Sequence, residues 1–310
     1  MTHHTTPLTH GQAEKLRAVL MDRGFEFVEK PYTLYAAQKP QLSIAVYTKG
    51  PKVLIQGKQT EDFVRFTLEP EITGEAIMDY QEVHDPEAFQ PHFGIDESGK
   101  GDYFGPLVVA GVYTDGPIAR SLQAAGVMDS KRIHSASKIR QLAEIIRNTP
   151  GCVSKVLAIS PARYNEMMPS FKNLNRLLAW GHARVIEECS LAKPDCPRAL
   201  SDQFARREVL ESALRAKKIT LKLDQRTKGE SDIAVAAASI IARERFLDWM
   251  AKASETSGLQ LPLGASQAVI DAGLALVKKK GREQLPHFAK IHFRTTQKIL
   301  GQADPLLDLE

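Results

Sequence analysis

Two stretches constrain this chain more than any others: Phe93–Asp96 and Leu107–Tyr113, near-continuous apolar runs bounded by glycine. A strand with one wet face alternates apolar and polar residues, whereas a strand that is apolar throughout must be covered on both faces. Candidate covers follow downstream. Ser137–Arg147 has an amphipathic helical period, Asn173–Leu191 predicts a long helix, and Ser231–Ala251 predicts a helix whose first half is almost wholly apolar and so deeply buried. Val153–Ile159, Ala199–Ser201 and Ile219–Leu223 read as further strands, and helical stretches follow around Gln267–Lys280 and His287–Leu300. Strands first, then helices and strands in alternation, imply an α/β layer fold with a mixed central sheet flanked by helices.

The 310 residues amount to about two domains at ~150 residues each. Upstream of Phe93 the texture differs. Thr9 and Gln12 form the pattern of a capping box, and the apolar spacing Leu16, Val19, Leu20 runs on to Gly24, a plausible stop. Leu42–Tyr47 and Val53–Gln56 read as strands separated by Thr-Lys-Gly-Pro-Lys. A small α+β domain over residues 1–80 is expected, then a linker over 81–91 at the end of the acidic, aperiodic stretch Glu69–Gln90, then a second domain over 92–310.

The net charge of +4 permits a polyanionic partner without arguing for one. Its distribution says more. From Lys30 to Gln59 the chain carries Lys30, Lys39, Lys49, Lys52 and Lys58 with no acid, and Tyr32, Tyr35 and Tyr47 are interleaved among them. Such a block suits nucleic-acid contact, and an ordinary solvated sheet face is the plain alternative. Between Glu61 and Glu87 the balance reverses, with nine acids against Arg65. A composition of 43% hydrophobic and 25% charged residues excludes wholesale disorder. The longest apolar stretch, Ile233–Ala242, is about half the ~20 residues of a membrane span. No basic start followed by an apolar run opens the sequence, so a cytoplasmic protein is expected. Cys152, Cys189 and Cys196 show no paired Cys-x-x-Cys spacing and imply neither a disulfide framework nor a zinc site.

Chemistry concentrates in residues 94–106, Gly-Ile-Asp-Glu-Ser-Gly-Lys-Gly-Asp-Tyr-Phe-Gly-Pro. An apolar strand ends in two adjacent carboxylates, Asp96 and Glu97, and runs into a glycine-rich loop. Neighbouring strand residues point to opposite faces, so the pair shares a site only where the strand ends and bends. Gly99 and Gly101 permit the bend and let backbone N–H groups approach an anion, while Lys100 adds a point charge suited to phosphate. Carboxylates beside such a loop offer the hard oxygens that magnesium requires, although a charged turn after a strand has the same spelling. Asp202 follows the apolar Ala199–Ser201, at a strand's carboxyl end, where α/β sheets place ligands. Glu230 and Asp232 flank Ser231 just before the apolar helix. Taken singly, Asp202 also serves to cap a turn, and Asp232 in a first turn complements the helix dipole.

Residues 96–110, Asp-Glu-Ser-Gly-Lys-Gly-Asp-Tyr-Phe-Gly-Pro-Leu-Val-Val-Ala, closely resemble the signature of bacterial ribonuclease HIII. Further matches keep the same order: Asp129-Ser130-Lys131, Asn173-x-Asn175 with His182, Ser201–Phe204, Lys228–Ser231, Val235–Arg243 and Ala289–Phe293. The resemblance spans roughly residues 90–300, and the first 80 residues are similar in length and place to that family's TATA-binding-protein-like extra domain.

The resemblance implies an endonuclease that cuts the RNA strand of RNA–DNA hybrids on a ribonuclease H-like fold, leaving 5′-phosphate and 3′-hydroxyl ends. It implies two divalent metals, Mg2+ or Mn2+, held by Asp96, Glu97 and Asp202 with Glu230 or Asp232 as the fourth acid. A Lys-Gly-acid pattern in related enzymes favours Glu230, while Ser231 as N-cap puts Asp232 in the first turn, from which it too can reach a metal. Ser98, Gly99, Lys100, Gly101 and Lys131 are expected to touch substrate, as are Lys49, Lys52 and Lys58 of the N-terminal domain; His182 is assigned to packing beside Trp180. No obligatory protein partner is expected, and the chain is taken as a monomer. Three alternatives stand: a ribonuclease HII-like enzyme acting at single embedded ribonucleotides, a non-catalytic hybrid-binding module, and a structural partner protein. The extra domain and Ser98 favour HIII over HII, and an intact acid set speaks against a non-catalytic module.

Overall fold

A computed structural model of the chain describes residues 3–73, 86–202, 204–217, 219–226 and 229–303. It divides into two compact units, Met1–His84 and Asp85–Glu310.

In the first unit, β1 (His3–Pro7), β2 (Glu26–Val28), β3 (Thr33–Lys39), β4 (Leu42–Tyr47) and β5 (Lys52–Gly57) form an antiparallel sheet in the order β1-β5-β4-β3-β2. The helix His10–Asp22 begins at the expected capping box: Thr9 Oγ1 accepts from Gln12 N, and Gln12 Oε1 accepts from Thr9 N. It buries Ala13, Leu16 and Leu20 in one core with Ile44, Val46, Val53 and Ile55 of the sheet. The acidic stretch that reads as linker begins inside this unit. Val64–Thr73 is a wide-wound helix, and its Leu68 and Ile72 join the same core. Part of the expected linker, residues 81–85, lies outside the described residues, while Pro86–Phe89 forms a turn that buries Ala88 and Phe89 in the second unit. Three strands, β1 to β3, have no counterpart in the sequence-based expectations. β2 spans only three residues, and β1 and β3 show no clean alternation in sequence.

The second unit is built on a mixed sheet of β6 (His92–Ser98), β7 (Leu107–Thr114), β8 (Val153–Ile159), β9 (Arg198–Asp202) and β10 (Lys222–Arg226), in the order β10-β9-β6-β7-β8. β10, β9 and β6 run parallel, and β7 alone runs antiparallel, between β6 and β8. All eight residues of β7 are buried, as its composition requires. The helix Ile233–Ser257 covers one face of β6 and β7 so closely that a Cβ at Gly94 would overlap the Ala234 backbone. The helix Leu174–Ala192 covers the other face, where a Cβ at Gly111 would meet Val185 2.7 Å away. Two sequence expectations shift. The last strand is Lys222–Arg226 rather than Ile219–Leu223, because it pairs in register with Arg198–Asp202. The helix expected over His287–Leu300 is broken into Leu285–Phe288 and Arg294–Ala303, since the intervening residues are bonded to the Tyr103–Gly105 backbone.

Candidate active site

β6 and β9 run parallel and end side by side, so Asp96, Glu97 and Asp202 gather at one carboxyl edge of the sheet. The strand continues through Ser98, beyond the acidic pair, so the bend follows the carboxylates instead of parting them. Alternation therefore puts Asp96 on the side of the helix Ile233–Ser257 and Glu97 on the side of Leu174–Ala192. Both reach a cleft of about 590 Å³ lined by Asp96–Asp102, Ser130, Lys131, Ile133, His134, Asp202 and Arg243. Every expected substrate contact of the second unit lies there: Ser98, Gly99, Lys100, Gly101 and Lys131.

Asp96 is only 6% exposed, and its Oδ1 accepts from Glu97 N at 2.8 Å. Burial pushes its carboxyl well above the ordinary range, and the charge of Glu97 pushes it further, against smaller opposing effects from that hydrogen bond and from Lys131. Burial also pushes Glu97 upward. There, however, the hydrogen bond and charge of His182, with Lys100, outweigh it and hold the carboxyl below its usual value. His182 Nε2 stands 3.1 Å from Glu97 Oε2, its Nδ1 is 3.1 Å from Ser201 Oγ, and Ser201 Oγ donates to the Asp202 carbonyl at 2.9 Å. A single chain of contacts thus runs from one acidic strand end to the other. His182, assigned to packing from sequence, is fully buried and orients a site acid. Lys100 Nζ lies 3.5 Å from Glu97 Oε1 and 5.7 Å from the centre of the Phe204 ring.

The two candidates for a fourth acid separate. Asp232 is itself the N-cap of the long helix, in place of Ser231, and its Oδ1 accepts from Ala234 N and Val235 N at 2.8 and 3.2 Å. Both its oxygens also lie 3.0 Å from His92 Nε2, and it is 2% exposed. Its carboxylate is committed to the fold and does not line the cleft. The turn Gly229–Ser231 contacts Asp202 directly: Gly229 N donates to Asp202 Oδ1 at 3.2 Å, and a Cβ there would stand 3.1 Å from Asp202 Cα. Glu230 is the next residue; its side chain lies outside what is described. Lys49, Lys52 and Lys58 are exposed on the first unit, at the β4–β5 turn, in β5 and just after β5.

Sequence reasoning passed over Asp102, Ser130, His134 and Arg243, which also line the cleft. Arg243 carries a signal in retrospect, as the first charge after the apolar run of the long helix. Among the described residues, no three carboxylate, imidazole or thiol groups already stand as a closed metal cage. The donor set still fits a hard cation. Three carboxylates border one cleft, where Glu97 and Asp202 both disfavour the charge of Asp96, and magnesium is commonly held by one or two carboxylates with water and substrate phosphate completing its shell. Cys152, Cys189 and Cys196 are free thiols, and among the described residues no helix is long and apolar enough to cross a membrane.

A family model described as Ribonuclease HII matches residues 93–296. Among curated proteins, a ribonuclease HIII of Protochlamydia amoebophila is 44% identical over 290 residues, 94% of each chain. One of Chlamydia trachomatis serovar D is 39% identical over 291 residues, 93% of this chain and 94% of that one. Among solved structures, Bst-RNase HIII in complex with Mn2+ superposes with a TM-score of 0.67 at 30% identity, covering 98% of this chain and all of the other.

Proposed function

The chain belongs to the ribonuclease HIII family of ribonuclease H endonucleases, and from that premise we propose that it hydrolyses the RNA strand of RNA–DNA hybrids at the cleft around Asp96, with 5′-phosphate and 3′-hydroxyl products. Asp96, Glu97, Asp202 and Glu230 would hold two divalent cations, Mg2+ or Mn2+. Such a pair supplies an activated water and relieves charge on the leaving oxygen. The observation that carries this proposal is the burial of Asp96 beside Glu97 with Asp202 in the same cleft. Buried acids that repel one another are a burden on a fold unless a cation uses them.

The protein's own groups prepare the rest. His182 holds one oxygen of Glu97, so the carboxylate keeps its other oxygen, beside Lys100, toward the cleft without reorganising. Asp96, buried beside Glu97 and Asp202, would be a ligand of the cations. Lys100 and Lys131 flank the acids and hold the phosphates on either side of the reacting bond. Gly101 has open space where a Cβ would stand, so ribose comes close to backbone there and its 2′-OH meets the Gly99–Gly101 main chain, which separates RNA from DNA. Lys49, Lys52 and Lys58 of the first unit add contacts to the duplex backbone that do not depend on sequence. The enzyme acts as a monomer in the cytoplasm and needs no membrane or protein partner.

The test is a cleavage assay on a fully ribo hybrid beside a duplex with one embedded ribonucleotide, each with divalent cation and with excess chelator. Preferential, cation-dependent cleavage of the full hybrid is expected. Preference for the embedded ribonucleotide would assign the chain the HII-like activity, and full activity in chelator would remove the metal from the proposal.

A further inference from the structure

Lys290 is 1% exposed, yet among the described residues no carboxylate lies within bonding distance of its ammonium group. Its Nζ donates to the Gly105 carbonyl at 2.6 Å, and the ring centre of Tyr164 is 5.9 Å away. A residue that only filled this space would be an unbranched apolar side chain, since burying an amine is costly. Burial lowers its pKa to about 7, with Asp102 opposing.

What it holds is the return of the glycine loop. Gly105 has φ +87°, and its amide donates to Phe288 O at 3.0 Å while Lys290 N donates to Tyr103 O at 2.9 Å. One residue further, the Pro106 carbonyl lies so close to Gly99 (φ +86°) that no Cβ fits there. The loop is therefore closed at its base, Gly99 against Pro106, and Lys290 anchors the residue beside that closure. The segment bearing Lys290 is itself fastened from behind. Asn165 Nδ2 donates to Pro286 O and Ala289 O at 3.0 and 2.9 Å, and Asn165 Oδ1 accepts from Ile291 N at 3.0 Å. Across the loop, Asp102 Oδ1 accepts from Gly264 N at 2.7 Å.

We propose that Lys290 is a positioning residue for RNA selection: through the Gly105 carbonyl it sets where the Gly99–Gly101 backbone stands against the ribose 2′-OH. This rests on the proposal above that the loop meets the 2′-OH. It differs from a packing role because its effect depends on that hydroxyl.

The experiment compares kcat/KM on two substrates. One is a DNA strand carrying four ribonucleotides, paired with DNA. The other is the same strand with 2′-fluoro sugars at those positions, which keeps the sugar pucker but removes the O–H. The preference for the hydroxyl substrate is measured in the full-length protein for wild type, Lys290→Met, Lys290→Gln and Gly101→Ala. Lys290→Met, which keeps volume but removes the donor, should lower that preference about ten-fold, mostly through kcat on the hydroxyl substrate. Lys290→Gln retains an N–H and should recover part of it. Gly101→Ala has room in the free protein, so any change it makes arises with substrate bound. If Gly101→Ala lowers the preference and Lys290→Met leaves it unchanged, the role of Lys290 is overturned alone. If neither changes it, the loop does not read the hydroxyl and both proposals fall. Failure of both Lys290 variants to fold, by circular dichroism, would assign the residue to the fold and overturn its positioning role.

Discussion

Asp232 and Glu230, two residues apart, should respond to mutation in opposite ways. Asp232 closes two backbone N–H groups at the start of the most buried helix and faces His92 with both oxygens. Asp232→Ala removes an N-cap, which costs about 1 kcal/mol. It also leaves a buried imidazole nitrogen without its partner, which costs about 1–3 kcal/mol more. A total of about 2–4 kcal/mol in a domain of this size lowers Tm by roughly 5–15 °C. Asp232→Asn keeps the capping oxygen and weakens only the His92 interaction, so it should lose less stability and keep turnover within about threefold of wild type. Glu230→Gln changes the residue that follows Gly229, whose amide docks on Asp202, and should reduce turnover by about 10²-fold or more with Tm nearly unchanged. The assay is initial-rate hydrolysis of a fluorescent RNA–DNA hybrid at saturating cation, with melting curves on the same samples. An Asp232→Asn protein that melts like wild type but does not turn over, beside a Glu230→Gln protein with near-normal turnover, would refute the assignment.

His182→Ala leaves Glu97 without its buried partner and should raise the cation concentration needed for half-maximal activity by about 10–100-fold, measured by Mg2+ titration. Lys49→Ala, Lys52→Ala and Lys58→Ala combined should weaken hybrid binding and flatten the plot of log affinity against log salt by up to about 2–3, close to one unit for each phosphate no longer neutralised; an unchanged slope would remove those lysines from the interface. Asp96→Asn tests the electrostatics without substrate. The Asp96 carboxyl is raised in the folded chain, so the stability linked to its proton is full below the ordinary value near 3.8 and declines as pH rises through the raised folded value. In chelator at pH 7 Asp96→Asn should therefore melt higher than wild type, and lower or equal melting would contradict the role given to burial.

Much of this fold is legible because its strongest signals are local. The apolar β6 and β7, the Thr9 capping box and the buried first half of the long helix each follow from a few neighbouring residues. Features that depend on distant partners are not legible. Whether a strand starts at Ile219 or Lys222 is settled by register with Arg198, and the break after Phe288 by bonds to Tyr103 and Gly105. The same holds in the cleft. The Asp96–Glu97 pair with its glycine loop stands out as a contiguous run. His182 does not, because its partner Glu97 is 85 positions away and a histidine in a helix spells packing as readily as chemistry. Asp232 is not legible for the same reason. It stands two residues past the Lys-Gly-acid position that Glu230 fills, and its partner His92, 140 positions upstream, holds its carboxylate at the helix cap.

The most direct test of metal-dependent cleavage at this cleft compares wild type with Asp96→Asn on one RNA–DNA hybrid, reading cleavage and binding in the same divalent-cation buffer. Asp96 is the residue to change because it is the buried acid at the meeting of Glu97, Lys131 and Asp202. Asp96→Asn should abolish hydrolysis while hybrid affinity stays within about threefold of wild type, since the loop and the lysines proposed to hold the duplex are untouched. Retained hydrolysis in Asp96→Asn, with the RNA strand cut at the wild-type positions, would contradict the assignment of this cleft as the catalytic centre.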